Sequence, residues 1–277
     1  MKFSPTPPLL LLRRLARSIE TNGVRGAIVH SYRRLFRSLG EHGLSGTWER
    51  AFRKAPTSAV VEEPEPIHPF DLLHGTDTGG YISGASLHAN SLSNLYSTAY
   101  LGIAPSAFRQ AIASLHLQLE EFTFLDLGCG KGRALIVAAQ FPFRRLLGVE
   151  FVPELCRIAQ ANIASNPKWA VRISILNQDA SRVTYPDTPL VIFLFDPFLA
   201  PVLRPVLANL ERQLRQSPRE TYLLYANNPR YTQVLDRFPF LREVSEISFP
   251  LSPEDAAVDR FRLTHENFTL YFADLTR

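Results

Sequence analysis

Short apolar segments alternate with helical patterns along the chain from residue 104 onward. The strand-like segments are apolar almost without interruption, which is typical of parallel strands covered by helices on both faces. The predicted strands are 122–127, 144–150, 170–178, 189–196, 220–228, 241–249 and 266–274. The predicted helices are 105–117, 133–140, 152–165, 201–216 and 231–238. No helical pattern separates the last two strands, so we expect a doubly wound α/β sheet with an antiparallel finish.

The positive charge of the chain is concentrated at its N-terminus. The 277 residues have a formal net charge of +4, yet residues 1–54 alone carry 11 Lys and Arg against 3 Asp and Glu. Apolar residues recur there at helical spacing, which predicts two short amphipathic helices with basic faces. Either these helices pack on the main domain, or they present a surface to nucleic acid or to anionic lipid headgroups. The arginine-rich start also resembles an organelle transit peptide.

A stretch rich in proline and acidic residues, 55–71, follows this basic segment. Prolines stiffen a linker and acidic side chains keep it solvated, so the composition predicts a domain boundary there. We therefore expect a basic helical extension over residues 1–54, a linker over 55–71 and the main domain over 72–277.

Cysteine and histidine usage argues against several classes of protein. The two cysteines, Cys129 and Cys156, are too few for a disulfide scaffold, and neither belongs to a C-x-x-C pair. The seven histidines show no spacing typical of metal ligands, so we expect no metal site. No apolar run reaches the roughly 18 residues that a membrane-spanning helix needs. These features predict a cytoplasmic protein, with peripheral membrane contact through the basic N-terminus as an alternative.

Three glycines lie where the first core strand gives way to the first core helix, in the run "FTFLDLGCGKGR". Gly128, Gly130 and Gly132 allow a sharp turn and let a ligand approach the backbone without meeting a Cβ atom. Free N–H groups at the start of the following helix can receive a polar or anionic group. A tight structural turn alone is the alternative interpretation. Asp126 lies at the end of the strand, just before the glycines.

Acidic residues also end the next two predicted strands. Glu150 is the last residue of the second strand, and Asp179 directly follows the third. A carboxylate at the end of the second strand can accept both hydroxyls of a ribose, which predicts a nucleoside site. A nicotinamide dehydrogenase is the rival with this kind of fold, but its loop is G-x-G-x-x-G and cradles a pyrophosphate. The acid at position 126 would repel a pyrophosphate and would suit an ammonium group.

The run "FLDLGCGKGRALIVAA", followed by "GVEFVPELCRIAQANI", resembles the class I, seven-strand methyltransferases that use S-adenosylmethionine. Their E/D-x-G-x-G-x-G signature is present in full from Asp126 to Gly132, and the similarity extends over residues 95–275. The stretches "LGCGKGRAL" and "YLGIAPSAF" are similar to a branch that includes telomeric-silencing-type histone lysine methyltransferases and related bacterial and mitochondrial protein-lysine methyltransferases. The resemblance implies a Rossmann-like seven-strand sheet, mostly parallel, with an antiparallel C-terminal strand.

The resemblance also implies a cofactor site for S-adenosylmethionine, with S-adenosylhomocysteine as product and no metal. The glycine loop would hold the methionine part, Glu150 the ribose, and Asp179 with Ala180 would border the adenine. Tyr100 and Ser106 precede the first strand and would cap the cofactor. The residues expected to bind the cofactor are Tyr100, Ser106, Asp126, Gly128, Cys129, Gly130, Gly132, Glu150, Phe151, Asp179, Ala180 and Asp196.

A candidate catalytic motif, "FDPF", follows the fourth strand. Asp196-Pro197-Phe198 is similar to the [DNS]-P-P-[FYW] motif of amino-group methyltransferases but lacks its second proline. Asp196 could orient an amine at the methyl group, and Phe198 could pack against the substrate or the sulfonium. We expect an amino group as acceptor, with protein lysine favoured. The alternatives are a small molecule, RNA, or a non-catalytic binding protein that acts through its basic N-terminus.

Overall fold

Seven strands form one sheet in residues 66–82, 98–226 and 232–276, the parts of the chain that the computed structural model describes. The strands are β1 (Thr123–Leu127), β2 (Arg145–Glu150), β3 (Ile173–Asn177), β4 (Leu190–Phe195), β5 (Thr221–Ala226), β6 (Leu241–Pro250) and β7 (His265–Ala273). Their order in the sheet is β3-β2-β1-β4-β5-β7-β6. Only β7 runs antiparallel to its neighbours, β5 and β6. The predicted doubly wound α/β sheet with an antiparallel C-terminal strand is confirmed.

Helices cover both faces of this sheet. The helices are α1 (Pro69–His74), α2 (Pro105–Ala113), α3 (Arg133–Ala138), α4 (Pro153–Ala164), α5 (Pro167–Ala170), α6 (Ala200–Gln216), α7 (Thr232–Leu235) and α8 (Pro253–Ala257). Most of them begin with proline in the first turn, where its missing N–H group would have no partner within the helix. Two short 3₁₀ turns, Leu119–Glu121 and Ala180–Arg182, complete the connections.

Alternate residues of β1 face the two halves of the core. Phe124 packs with Phe108 of α2 and Phe193 of β4 on one face, while Leu125 packs with Leu203 of α6 on the other. All five residues of β1 are buried. A strand buried on both faces has no polar side, which is why these segments appear as continuous apolar runs in the sequence.

The structure corrects the sequence prediction at three connections. The predicted strand 170–178 begins only at Ile173, because Asn166 caps the short helix α5 by accepting a hydrogen bond from Lys168 N at 3.0 Å. Between β6 and β7, where no helix was expected, α8 forms under the cap of Ser252. Helix α2 ends at Ala113, four residues before the predicted end.

The last residues of the predicted linker are also helical, because Pro69, Phe70 and Asp71 begin α1. The predicted N-terminal helices, linker residues 55–65 and loop residues 83–97 lie outside the described part of the chain. None of the helices that the structure describes is long and apolar enough to cross a membrane.

Candidate active site

A cleft opens at the carboxyl ends of β1, β2 and β4. The sheet extends from β1 in both directions, with β2 on one side and β4 on the other. Open α/β sheets bind ligands at such a switch point. The cleft encloses about 650 Å³, part of which is open to solvent. It is lined by the glycine loop after β1, by Glu150 and Phe151 after β2, by Pro197 and Phe198 after β4, and by residues 98–103.

The glycine loop depends on the absence of side chains at two positions. Gly128 and Gly130 have φ angles of +89° and +54°, a region that side chains disfavour. A Cβ atom on Gly128 would lie 2.5 Å from Cβ of Pro197. A Cβ atom on Gly130 would overlap the ring of Tyr100. The glycines therefore allow two neighbouring segments to close on the loop, as well as allowing the turn.

Glu150 ties the glycine loop to the end of β2. Its Oε2 atom accepts a hydrogen bond from Gly130 N at 2.9 Å, and Oε1 accepts one from Val152 N at 2.8 Å. Burial raises the pKa of this carboxyl group, while the backbone hydrogen bonds act in the opposite direction. Each carboxylate oxygen can accept a further hydrogen bond, so the predicted contact with ribose hydroxyls is compatible with this geometry.

Asp126 places a second carboxyl group in the same cleft. The residue is only 3% exposed, and no residue in the described part of the chain donates a hydrogen bond to its side chain. Burial raises the pKa of Asp126 well above its usual range, and the negative charge of Glu150 raises it further. A cation bound beside Asp126 would relieve both effects, which is what an ammonium group would do.

Cys129 lies between the first two glycines and is buried. Burial raises the pKa of its thiol well above the usual range, and the charges of Asp126 and Glu150 raise it further. The side chain is therefore a neutral thiol that packs under β2, where a Cβ atom on Gly148 would lie 2.8 Å from the sulfur.

The predicted catalytic motif forms the loop after β4. Asp196 adopts a φ of +43°, an uncommon conformation that Asp tolerates better than most residues. Thr98 holds this loop, since its Oγ1 donates to the Asp196 carbonyl at 2.6 Å and its N–H to the Pro197 carbonyl at 3.4 Å. Phe198 is buried and lines the cleft.

The structure brings most of the predicted site residues together. Those that line the cleft are Tyr100, Asp126, Gly128, Cys129, Gly130, Glu150, Phe151 and Phe198. The others, Ser106, Gly132, Asp179, Ala180 and the side chain of Asp196, lie outside this lining. Ser106 Oγ donates to Asp255 Oδ2 at 2.6 Å, and Asp179 Oδ1 accepts from Ser181 N at 2.9 Å. Their roles toward a cofactor stay predictions.

Sequence reasoning missed several residues of the cleft, above all Arg133, Thr98 and Gly102. One signal was present, because Arg133 is the only charged residue in the otherwise apolar run "RALIVAA" that opens α3. All residues of this helix are buried, and a buried charged side chain needs a partner of opposite charge or a bound ligand. A search for that partner would have led to the cleft. In the described ranges, no group of His, Cys, Asp and Glu side chains could hold a metal ion.

Residues 124–217 match the model of the protein family described as "Methyltransferase domain". A search of curated proteins found no match to the sequence. Among solved structures, the chain is similar to magnesium protoporphyrin IX methyltransferase from Synechocystis PCC 6803 with bound S-adenosylmethionine. That likeness has 14% identity and a TM-score of 0.45, and covers 62% of this chain and 78% of that chain.

Two further solved structures show a similar likeness. One is a Pyrococcus abyssi tRNA (uracil-54, C5)-methyltransferase in complex with S-adenosyl-L-homocysteine, with 15% identity, a TM-score of 0.44, and coverage of 61% of this chain and 38% of that chain. The other is a ribosomal protein L11 methylase from Lactobacillus delbrueckii subsp. bulgaricus, with 13% identity, a TM-score of 0.41, and coverage of 60% and 76%.

The cleft fits S-adenosylmethionine on its own chemistry. Asp126 offers a buried carboxylate with no described donor, where the ammonium group of the methionine part would bind. The glycine loop leaves a cradle that Cβ atoms would fill, and Phe151 adds apolar surface beside Glu150. Residues 124–217 match the methyltransferase-domain family, and this chemistry of the cleft is that of an S-adenosylmethionine-dependent methyltransferase.

Proposed function

We propose that this enzyme transfers a methyl group to an amino nitrogen, with a lysine side chain of a protein as the acceptor. The observation that carries the proposal is the contact between the Asp196-Pro197-Phe198 loop and the glycine loop. A Cβ atom on Gly128 would lie 2.5 Å from Pro197 Cβ and 3.7 Å from Phe198 Cε1. An acceptor held by this loop is therefore held beside the methionine end of the cofactor.

Alignment is the main task of these residues. S-adenosylmethionine supplies a methyl group on a sulfonium, which is already a strong electrophile. Asp196 lies between the cleft residues Phe195 and Pro197, and we propose that its carboxylate turns to the bound amine. It then accepts a hydrogen bond from the amine and so directs the nitrogen lone pair at the methyl group, while Phe198 and Tyr100 exclude water. Orientation of this kind contributes about 7–11 kcal/mol in well-arranged systems. The amine must be neutral to react, and a carboxylate or a water beside it can take its proton.

Transfer of a labelled methyl group tests the acceptor directly. We expect label from tritiated S-adenosylmethionine to enter the protein fraction of a cell extract that lacks this enzyme, and hydrolysis of that fraction to yield methyl-lysine. Label on oxygen or carbon would contradict an amine acceptor.

Replacement of Asp196 tests the role of its carboxylate. We expect Asp196→Asn to lower turnover at least tenfold, about 1.4 kcal/mol of transition-state stabilisation, with cofactor affinity within twofold of wild type. Asn tolerates the positive φ at this position, so the variant removes the charge and keeps the backbone. Asp236→Ala, at an exposed position on the surface, is the control and should keep full activity. Full activity of Asp196→Asn would disprove the assignment.

A nucleic-acid acceptor is the second candidate, and one exposed surface favours it. Tyr81 and Phe261 meet edge to face at 6.2 Å, and the guanidinium of Arg260 lies 4.5 Å from the Tyr81 ring centroid. Arginine and exposed aromatic rings together are typical of single-stranded nucleic-acid binding. Asp259 nearby accepts hydrogen bonds from the backbone of Phe261 and Leu263, so its carboxylate is engaged within its own turn. Label in the RNA fraction would favour this candidate.

We propose that the basic N-terminal segment, residues 1–54, docks the enzyme on an anionic surface, either nucleic acid or lipid headgroups. We expect its deletion to lower methyl transfer to the natural acceptor at least tenfold. Cofactor affinity should stay within twofold of the full chain, and this measurement also reports that the remaining domain is folded. Unchanged transfer by the shortened chain would contradict a docking role.

A further inference from the structure

A buried arginine lies beside the cofactor cleft. Arg133 opens α3, is 4% exposed and lines the cleft. Its Nε atom donates to Thr78 Oγ1 at 2.7 Å, and Nη2 donates to Asp71 Oδ2 at 3.3 Å. Nη1 donates to none of the residues that the structure describes. A buried guanidinium needs hydrogen-bond acceptors for its N–H groups. The Nη1 side of Arg133 can therefore still donate to an anion.

The segment before the core holds this arginine in place. Asp71 is buried, and its Oδ1 accepts hydrogen bonds from Thr78 N at 2.9 Å and Thr78 Oγ1 at 2.6 Å. The Tyr100 hydroxyl donates to the Thr78 carbonyl at 2.7 Å. Thr78 thus connects Arg133, Asp71 and the cleft residue Tyr100. We call residues 71–79 the strap.

A second set of contacts anchors the strap to the glycine loop. Lys131 Nζ lies 2.6 Å from Asp77 Oδ1 and donates to the Gly79 carbonyl at 2.9 Å. Asn162 of α4 accepts from Asp77 N and donates to the carbonyls of Asp77 and Lys131. Lys131 and Asn162 are buried, whereas the Asp77 side chain is exposed, so the two buried side chains hold the strap beside Arg133.

Gly102 shows where the guanidinium lies. A Cβ atom at this position would be 2.7 Å from both Cζ and Nη1 of Arg133. The guanidinium therefore packs against the backbone of a segment that itself lines the cleft, with Nη1 on that side. Position 102 tolerates this approach only because it is glycine.

An acid and a base with unused hydrogen-bonding atoms thus face one cleft. Asp126 offers a carboxylate and Arg133 a guanidinium corner, which together complement the ammonium and carboxylate of an α-amino acid. We propose that Arg133 binds the α-carboxylate of the methionine part of the cofactor, and that Asp71 and Thr78 are its positioning residues. The inference rests on the cofactor of the proposed function and is independent of the acceptor.

Binding of three ligands by calorimetry tests this proposal. S-adenosylhomocysteine carries both charged groups, its decarboxylated analogue keeps only the ammonium, and methylthioadenosine has neither. We expect Arg133→Gln to weaken binding of S-adenosylhomocysteine at least tenfold and to leave the affinity of the other two ligands within twofold. Asp71→Asn should weaken the same ligand by a smaller factor, and Arg133→Lys should retain part of the affinity because it keeps the charge.

The controls separate binding from folding. Arg215→Gln removes an exposed arginine that pairs with Glu211 on α6, and it should change no affinity. Retained binding of methylthioadenosine by Arg133→Gln reports a folded cleft. If all three ligands weaken equally, or if S-adenosylhomocysteine binds unchanged, the proposal is wrong. If the three affinities change as expected but the labelled methyl group is found on oxygen or carbon, the amine acceptor is wrong and the role of Arg133 stands.

Discussion

Gly130→Ala should weaken cofactor binding, raising the Kd for S-adenosylhomocysteine more than 100-fold. The φ of +54° disfavours any side chain, and the new Cβ atom would overlap the Tyr100 ring. That ring is buried and its hydroxyl is hydrogen-bonded to Thr78, so it cannot move away without breaking contacts. We expect the free energy of unfolding to fall by about 2–4 kcal/mol. Calorimetry and thermal unfolding measure the two effects.

Gly75→Ala is the matched control for this variant. Gly75 has a φ of +65° and lies in the strap, but a Cβ atom there would have no neighbour within 4 Å and so would displace neither Asp71 nor Thr78. The control should therefore lose about 1 kcal/mol of stability and keep its cofactor affinity within twofold. If Gly130→Ala behaves like Gly75→Ala, the close approach of Tyr100 to the glycine loop does not control binding.

Asp126→Asn should weaken binding of S-adenosylhomocysteine about 30–150-fold, which corresponds to about 2–3 kcal/mol, because the ammonium loses a charged partner. The same change should stabilise the free protein. Burial raises the pKa of Asp126 in the folded state, so between the unfolded pKa, about 3.9, and the folded pKa the folded state binds more protons. The stability of the wild type therefore falls as pH rises through this window, whereas Asn does not titrate.

The measurement is thermal unfolding of both proteins without cofactor between pH 4 and pH 8. The difference in melting temperature, variant minus wild type, should grow as pH rises and then level off above the folded pKa of Asp126. Asp255→Asn is the contrast, because that buried carboxylate accepts hydrogen bonds from Ser106 N and Oγ, and its loss should lower stability. A difference that does not change with pH would contradict the raised pKa of Asp126.

Much of the fold was predictable because its signals are local. Strands buried on both faces, such as β1 and β4, appear as continuous apolar runs whatever their distant partners are. The short helices α5 and α8 were missed, since four or five residues show no period and their caps, Asn166 and Ser252, are ordinary loop residues.

In the candidate site too, the features with local signals were predictable and those that depend on distant partners were not. The sequence by itself determined the glycine loop and the acids Asp126 and Glu150, because turn geometry and strand ends depend on neighbours in the chain. Only the tertiary structure decided that Arg133 meets Asp71, 62 residues away, and that Ser106 donates a hydrogen bond to Asp255, 149 residues away. Such pairs form because buried charges and hydroxyls must find partners wherever the packed elements place them, and no local pattern in the sequence records where that is.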